Sequence, residues 1–271
     1  MTTHPPVPRG LAEHLEEMVR LGGEIAGHLT EREIRFLALL GAMPACAGEV
    51  LEIGSYKGKS TVILARSAAF AGQRRIVAVD PLDLPAETDP TEVPAGELAG
   101  IFRDNIRAHG VEANVEFHAM RSEQLARNWD RPLRLLWIDG DHTWQGARAD
   151  VEAFARHLAP GGIIAFHDVL HRYEGPVRAL SELVLSSPLY GAAGVVGSIG
   201  WAQFLGSPER AQPFAASRER LRGRLAALVP FAARGTPRSL ADKLAYKLRR
   251  SLVPHDELEP AAWAAQVVSF A

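Results

Sequence analysis

Five short strand-like runs divide this chain, and most are continuous rather than alternating: Val50–Gly54, Arg75–Asp80, Val115–Ala119, Leu133–Asp139 and Gly162–His167. Strands that are apolar at every position are buried on both faces, as in a parallel sheet sandwiched between helices. Helical patterns separate the runs, with helices expected over roughly 59–70, 97–109, 122–129, 145–158 and 176–187. Val195–Ile199 and Trp201–Leu205, joined at Gly200, read as a closing hairpin. The expected class is α/β, and in such open sheets ligands bind at the carboxyl ends of the strands. That rule gathers Gly54, Asp80, Asp139, His167 and Asp168 along one edge.

The first strand ends in Glu49–Ser60, EVLEIGSYKGKS. A strand, a glycine turn and a helix start let backbone approach a ligand and aim free N–H groups at it. A phosphate-binding P-loop needs four residues between Gly and Gly-Lys-Ser. Here Gly54 and Gly58 enclose only Ser55, Tyr56 and Lys57. The G-x-G-x-x-G dinucleotide fingerprint is absent too. What remains is E-x-G-x-x-x-G-x-S, running from Glu52 to Ser60, with Asp80 closing the next strand.

At that strand end the Asp80 carboxylate can accept both hydroxyls of a ribose. Ser122, with Glu123, follows the third strand and reads either as an adenine contact or as a helix cap. Further along, Trp137-Ile138-Asp139-Gly140-Asp141-His142-Thr143-Trp144 ends a buried strand in three titratable groups. Phe166-His167-Asp168 ends its neighbour in the same way. Adjacent strand ends bring Asp139, His167 and Asp168 within reach of one point, and carboxylate and imidazole ligands suit a divalent cation with open positions. Such a cation lowers the pKa of a bound hydroxyl and orients it. Asp141 and His142 are the candidate proton acceptors, with His167 as the third. Trp144 and Tyr173 are candidate pocket walls; Trp137, inside a strand, is expected in the core.

These motifs resemble motifs I and II of class I S-adenosylmethionine (SAM) methyltransferases. IDGDHTWQGARADVEAFARHLAPGGIIAFHDV is similar to the bacterial family of macrocin-type sugar O-methyltransferases and cephalosporin-hydroxylase-like proteins. The resemblance covers about residues 48–206 and is specific at EIGSYKGKS, IDGDH and PGGIIAFHD. It implies a Rossmann-like seven-stranded sheet with an antiparallel last strand. It implies SAM bound by Glu52, Gly54, Ser55, Gly58, Ser60, Asp80, Ser122 and Asp139, with Glu52 near the methionine amino group. It also implies Mg²⁺ or Mn²⁺ on Asp139 and Asp168. His167 departs from the family pattern, which has an acidic pair at that position. The implied activity is O-methylation of a small-molecule hydroxyl, a sugar of a glycoside or natural product, by a homo-oligomer. The alternatives are another reaction on the same fold and a non-catalytic assembly subunit.

Composition narrows the setting. A net charge of −2 gives no case for nucleic acid, and the core holds no basic–aromatic stripe. The lone cysteine, Cys46, excludes an internal disulfide and is expected as a buried thiol. No signal segment or membrane-length apolar run is visible, so a cytoplasmic protein without integral membrane contact is expected. The expected organisation is an N-terminal helical extension (1–45), a SAM-binding domain (46–207) and a basic helical extension (208–271). Residues 11–40 read as two helices broken near Gly22-Gly23, the second opened by a Thr30–Glu33 capping box. The Pro- and acid-rich stretch Pro81–Gly96 reads as a lid or substrate loop. Between 208 and 250 eleven basic residues face only Glu209, Glu219 and Asp242, as a solvated face or a site for an anionic substrate or membrane surface.

Overall fold

The computed structural model describes residues 4–83, 93, 96–237 and 239–270. The lid expected over Pro81–Gly96 falls largely outside them. Seven strands form one sheet: β1 (Glu49–Ile53), β2 (Ile76–Val79), β3 (Val115–His118), β4 (Leu133–Ile138), β5 (Leu158–Phe166), β6 (Tyr190–Val196) and β7 (Ile199–Phe204). Their order is β3-β2-β1-β4-β5-β7-β6. The pairings from β3 through β5 are all parallel, while β7 runs antiparallel to β5 and β6. Strands β1, β2 and β4 are buried almost throughout, as continuous apolar runs require.

Helices α1 (Leu11–Glu24), α2 (Glu31–Ala42), α3 (Lys59–Phe70) and α4 (Leu98–Ala108) join one hydrophobic cluster; α5 (Ser122–Ala126) and α6 (Trp144–Phe154) lie against the other. Then α7 (Glu174–Arg178) runs into a π-helical turn, Ala179–Val184. The tail adds α8 (Pro208–Ala211), α9 (Ala215–Ala226), α10 (Val229–Ala232), α11 (Leu240–Ser251) and α12 (Pro260–Gln266). It is anchored rather than loose. Trp263 is buried with its ring centroid 4.8 Å from Trp201 and 5.9 Å from Phe36. Gln203 exchanges two hydrogen bonds with the Val268 backbone, and Phe270 N donates to Ala45 O.

The break between the first two helices falls just past Gly22-Gly23, α1 ending at Glu24. A Cβ at Gly22 would stand 2.6 Å from Ile34 Cδ1, so this glycine lets α1 and α2 cross closely. One local expectation changes. The hairpin turns at Gly197-Ser198, with Val196 opposite Ile199 and Gly197 at φ 60°. Gly200 instead lies inside β7, where a Cβ would meet Leu180 and Val169. The Thr30–Glu33 capping box forms as expected, and Cys46 is buried, its thiol pushed up to about 11 by burial.

The carboxyl edge of the sheet depends on Gly54. Its φ is 87°, and a Cβ there would lie 2.2 Å from the Asp139 carbonyl oxygen. The close neighbour is thus the end of β4, not open ligand space. Gly54→Ala should destabilise the fold by more than about 2 kcal/mol in urea denaturation, from left-handed strain plus the clash. Gly72→Ala carries the same strain at φ 82° with nothing within 4 Å. It should cost only ~1 kcal/mol.

Candidate functional site

The turn between β1 and α3 is held by one carboxylate. Asp80 Oδ2 accepts from Ser55 N (2.7 Å) and Tyr56 N (2.9 Å), and Oδ1 accepts from Leu82 N (2.8 Å). These bonds stabilise a left-handed Tyr56, at φ 48°. Burial raises the Asp80 pKa above the ordinary value despite these donors. Gly58 starts α3 in the left-handed region, and a Cβ there would press Phe102 Cδ2 at 3.2 Å. Both glycines are therefore required by packing as well as by the turn.

Glu52 lies beneath the turn, fully buried. Its Oε2 accepts from Ser55 Oγ (3.1 Å) and Thr61 Oγ1 (2.5 Å), and Ser60 also bonds the carboxylate. Oε1 has no partner among the described residues. Burial pushes this carboxyl up to about 7, against three hydroxyl donors that pull it down. A buried acid with an orphan oxygen fits a ligand group that carries a positive charge, while the adjacent N-terminus of α3 fits an anionic group of the same ligand.

The second half of the site lies at the ends of β4 and β5. The backbone is pinned there by Asp139 N donating to Ile53 O (2.8 Å) and His167 N donating to Ile138 O (3.0 Å). Asp168 takes φ 61°, a left-handed conformation that aspartate tolerates. Donor atoms of Asp139, His142 and Asp168 all lie within 4.8 Å of one another. His142 Nε2 is 3.4 Å from Asp168 Oδ2 and 3.8 Å from Asp139 Oδ1. Its ring stacks on Tyr173 with centroids 4.4 Å apart, and Gly175 N donates to the His142 carbonyl. Burial opposes a charge on His142, yet the two carboxylates raise its pKa above the ordinary value.

His167 is seated deeper than expected for a metal ligand. Its side chain is 4% exposed, and Nδ1 lies 3.2 Å from Asp139 Oδ1 and 3.4 Å from Asp168 Oδ1. Nε2 lies 3.8 Å from Glu33 Oε2. Burial works against a buried imidazolium, but the surrounding acids raise its pKa well above the usual value. In turn Asp139, pushed up by burial, is held at about 2 by His167 and His142. Of the expected triad Asp139, His167 and Asp168, the two aspartates converge with His142, and His167 sits beside them as their counter-ion. Two carboxylates and one imidazole form a donor set that suits a divalent cation with open positions.

The remaining candidates fall elsewhere. Asp141 is exposed and accepts from Thr143 N (2.8 Å) at the start of α6. Ser122 does not cap α5, whose N-cap is Arg121; its hydroxyl donates to buried Asp150 at 2.5 Å. Burial raises that carboxyl to about 7. Trp137 is fully buried in the core, and Trp144 packs under the Arg178 guanidinium at 4.2 Å. Two residues of the site went unread in the sequence. His171 Nδ1 meets Asp168 Oδ1 at 2.5 Å, and its spacing four residues after His167 was the available signal. Glu33 reaches the site from α2, and only its capping role was visible.

Comparison with known proteins agrees with this fold. Residues 51–169 match the family described as a methyltransferase domain. The O-methyltransferase NovP is similar in structure at a TM-score of 0.55, with 12% identity over 72% of this chain and 99% of NovP. The cofactor-bound Rv0187 from MTB is similar at 0.50, with 20% identity over 74% of this chain and 92% of that one.

The raised pKa of His167 sets the sign of a stability test. Its contribution is complete below the unfolded value of about 6.5 and is lost as pH rises through the higher folded value. With EDTA present, His167→Gln should lower stability at pH 6 by roughly 3–5 kcal/mol, the cost of leaving partner charges buried and unpaired. The gap to wild type should narrow at alkaline pH. Urea denaturation series that show the same gap at every pH would contradict a charged His167.

Proposed function

We propose, from the premise that residues 51–169 are a methyltransferase domain, that the chain moves the methyl group of SAM to a hydroxyl oxygen of a small molecule. A sugar hydroxyl of a glycoside or natural product is the favoured acceptor class. The observation that carries this reading is the pairing of two half-sites at one sheet edge. On one side Glu52 lies buried beneath a turn that Asp80 holds at the N-terminus of α3, where a zwitterionic, ribose-bearing ligand would sit. Asp139, His142 and Asp168 form an oxygen-activating cluster on the other. NovP, which shares the fold, is itself an O-methyltransferase. The likeness of IDGDH and PGGIIAFHD to macrocin-type enzymes supports the sugar.

SAM supplies an electrophilic methyl group. Glu52 would hold its amino group through the orphan Oε1. Asp80 keeps one acceptor position for a ribose hydroxyl beyond its three backbone donors. The turn it organises orients the ligand, so that the acceptor oxygen meets the methyl group in line. A divalent cation held by Asp139, His142 and Asp168 would lower the pKa of the acceptor hydroxyl. His167 balances the carboxylates from below, and Tyr173 fixes the His142 ring. A second reading keeps His142 free of metal as the general base, oriented by Asp168 at 3.4 Å and stacked on Tyr173.

Two experiments test these roles. A cationic ligand beside Glu52 draws its pKa down from about 7, so binding releases a proton. SAM affinity measured by titration calorimetry should strengthen by up to ~10-fold for each unit that pH rises toward 7 and level off above it. Glu52→Gln should flatten that profile; an unchanged profile in the variant would remove Glu52 from the site.

The second experiment concerns the cation. EDTA should abolish methyl transfer and Mg²⁺ or Mn²⁺ should restore it, with SAM affinity little changed. Asp139→Asn and Asp168→Asn should lose the metal response. Full activity in EDTA would favour the His142 base, and His142→Gln should then cut kcat by roughly 10²–10⁴-fold.

A further inference from the structure

Four of the five large apolar side chains exposed among the described residues sit on one helix. They are Leu240 (73% exposed), Leu244 (59%), Leu248 (64%) and Leu252 (60%). Their four-residue spacing along and just past α11 makes a single ridge on one face. The opposite face of α11 is already committed. Tyr246 is buried and donates its hydroxyl to Leu170 O at 2.7 Å. Asp242 pairs with Arg172 at 3.2 Å and with Arg234 at 3.6 Å, and Arg172 stacks over the Tyr246 ring at 4.5 Å. The helix is therefore clamped in place with its leucines outward, and the fold itself does not use them.

Charge says what covers the ridge. Lys243 and Lys247 are exposed and each precedes a ridge leucine by one residue, so they flank the ridge along one side. The acid of the helix, Asp242, is turned inward and neutralised by two arginines. An apolar stripe bordered by lysines is the pattern of a helix lying in the plane of an anionic bilayer, leucines in the acyl boundary and ammonium groups among the headgroups. A second copy of the chain seated there would bring the lysines of both copies together. No helix among the described residues is long and apolar enough to cross a membrane, so the contact is peripheral. We propose that α11 is a docking surface for an anionic membrane, using Leu240, Leu244, Leu248 and Leu252 as the apolar contact and Lys243 and Lys247 as the electrostatic one.

The proposal stands apart from the methyl-transfer reading, because binding is measured without SAM or acceptor. The full chain should co-sediment with phosphatidylcholine–phosphatidylglycerol vesicles, much less with phosphatidylcholine alone, and less as salt rises. Leu244→Ser with Leu248→Ser, and separately Lys243→Glu with Lys247→Glu, should each weaken vesicle partitioning by at least ~10-fold. All four residues are exposed, so thermal melts and SAM affinity should match wild type. Light scattering decides the rival cover: a dimer that the double serine variant splits would overturn the proposal. So would a wild-type chain that stays in the supernatant with anionic vesicles, or variants that bind them as wild type does.

Discussion

The structure turns on one buried histidine set among acids. His167 lies where water does not reach, the acids around it raise its pKa well above the usual value, and those acids come from three parts of the chain. Asp139 ends β4, Asp168 follows β5, and Glu33 arrives from α2. Glu33 is itself saturated: Oε2 accepts from Thr30 N and Oγ1, and Oε1 accepts from Ser198 N and Oγ. Burial works against its charge, yet His167 and these donors hold the carboxyl well below the usual range. One charge lattice thus ties α2, the β6–β7 turn and the carboxyl edge of the sheet together.

That lattice explains how a cluster of acids persists in a half-closed site. Without His167, Asp139 and Asp168 would repel each other in a low dielectric medium. His167 beside them offsets that repulsion, and their oxygens remain close to His142 on the open side. The cofactor half of the site works by a different device. There the anchor is Asp80, a carboxylate that holds the Ser55 and Tyr56 amides in a strained turn while Glu52 stays buried and underbonded. Strain and unsatisfied polarity at one edge are the usual marks of a ligand site.

Much of this was legible in the sequence. Continuous apolar runs gave the parallel sheet, and the glycine turn at Gly58 fixed helix α3 at Lys59–Phe70. Asp139 and Asp168 were read together because adjacent parallel strands must end side by side. What stayed hidden depended on backbone angles and distant partners. The left-handed Asp168 lets two successive side chains, His167 and Asp168, converge on Asp139, and no residue pattern announces it. As a result His167 was read as a ligand and His142 only as a base, whereas His142 joins the aspartates and His167 lies below them. Glu33 read as a helix cap, and nothing local links it to a histidine 134 positions later. Gly200 read as a turn because glycine in a strand and glycine in a hairpin look alike until the packing of Leu180 above it is seen.

The most direct measurement is of product. Wild-type chain with SAM, Mg²⁺ and a panel of glycosides should yield a methyl ether and S-adenosylhomocysteine in equal amounts by mass spectrometry. Asp168→Asn should lose both products while still binding SAM. A chain that binds SAM yet forms neither product with any hydroxyl acceptor, or an Asp168→Asn variant as active as wild type, would contradict the account.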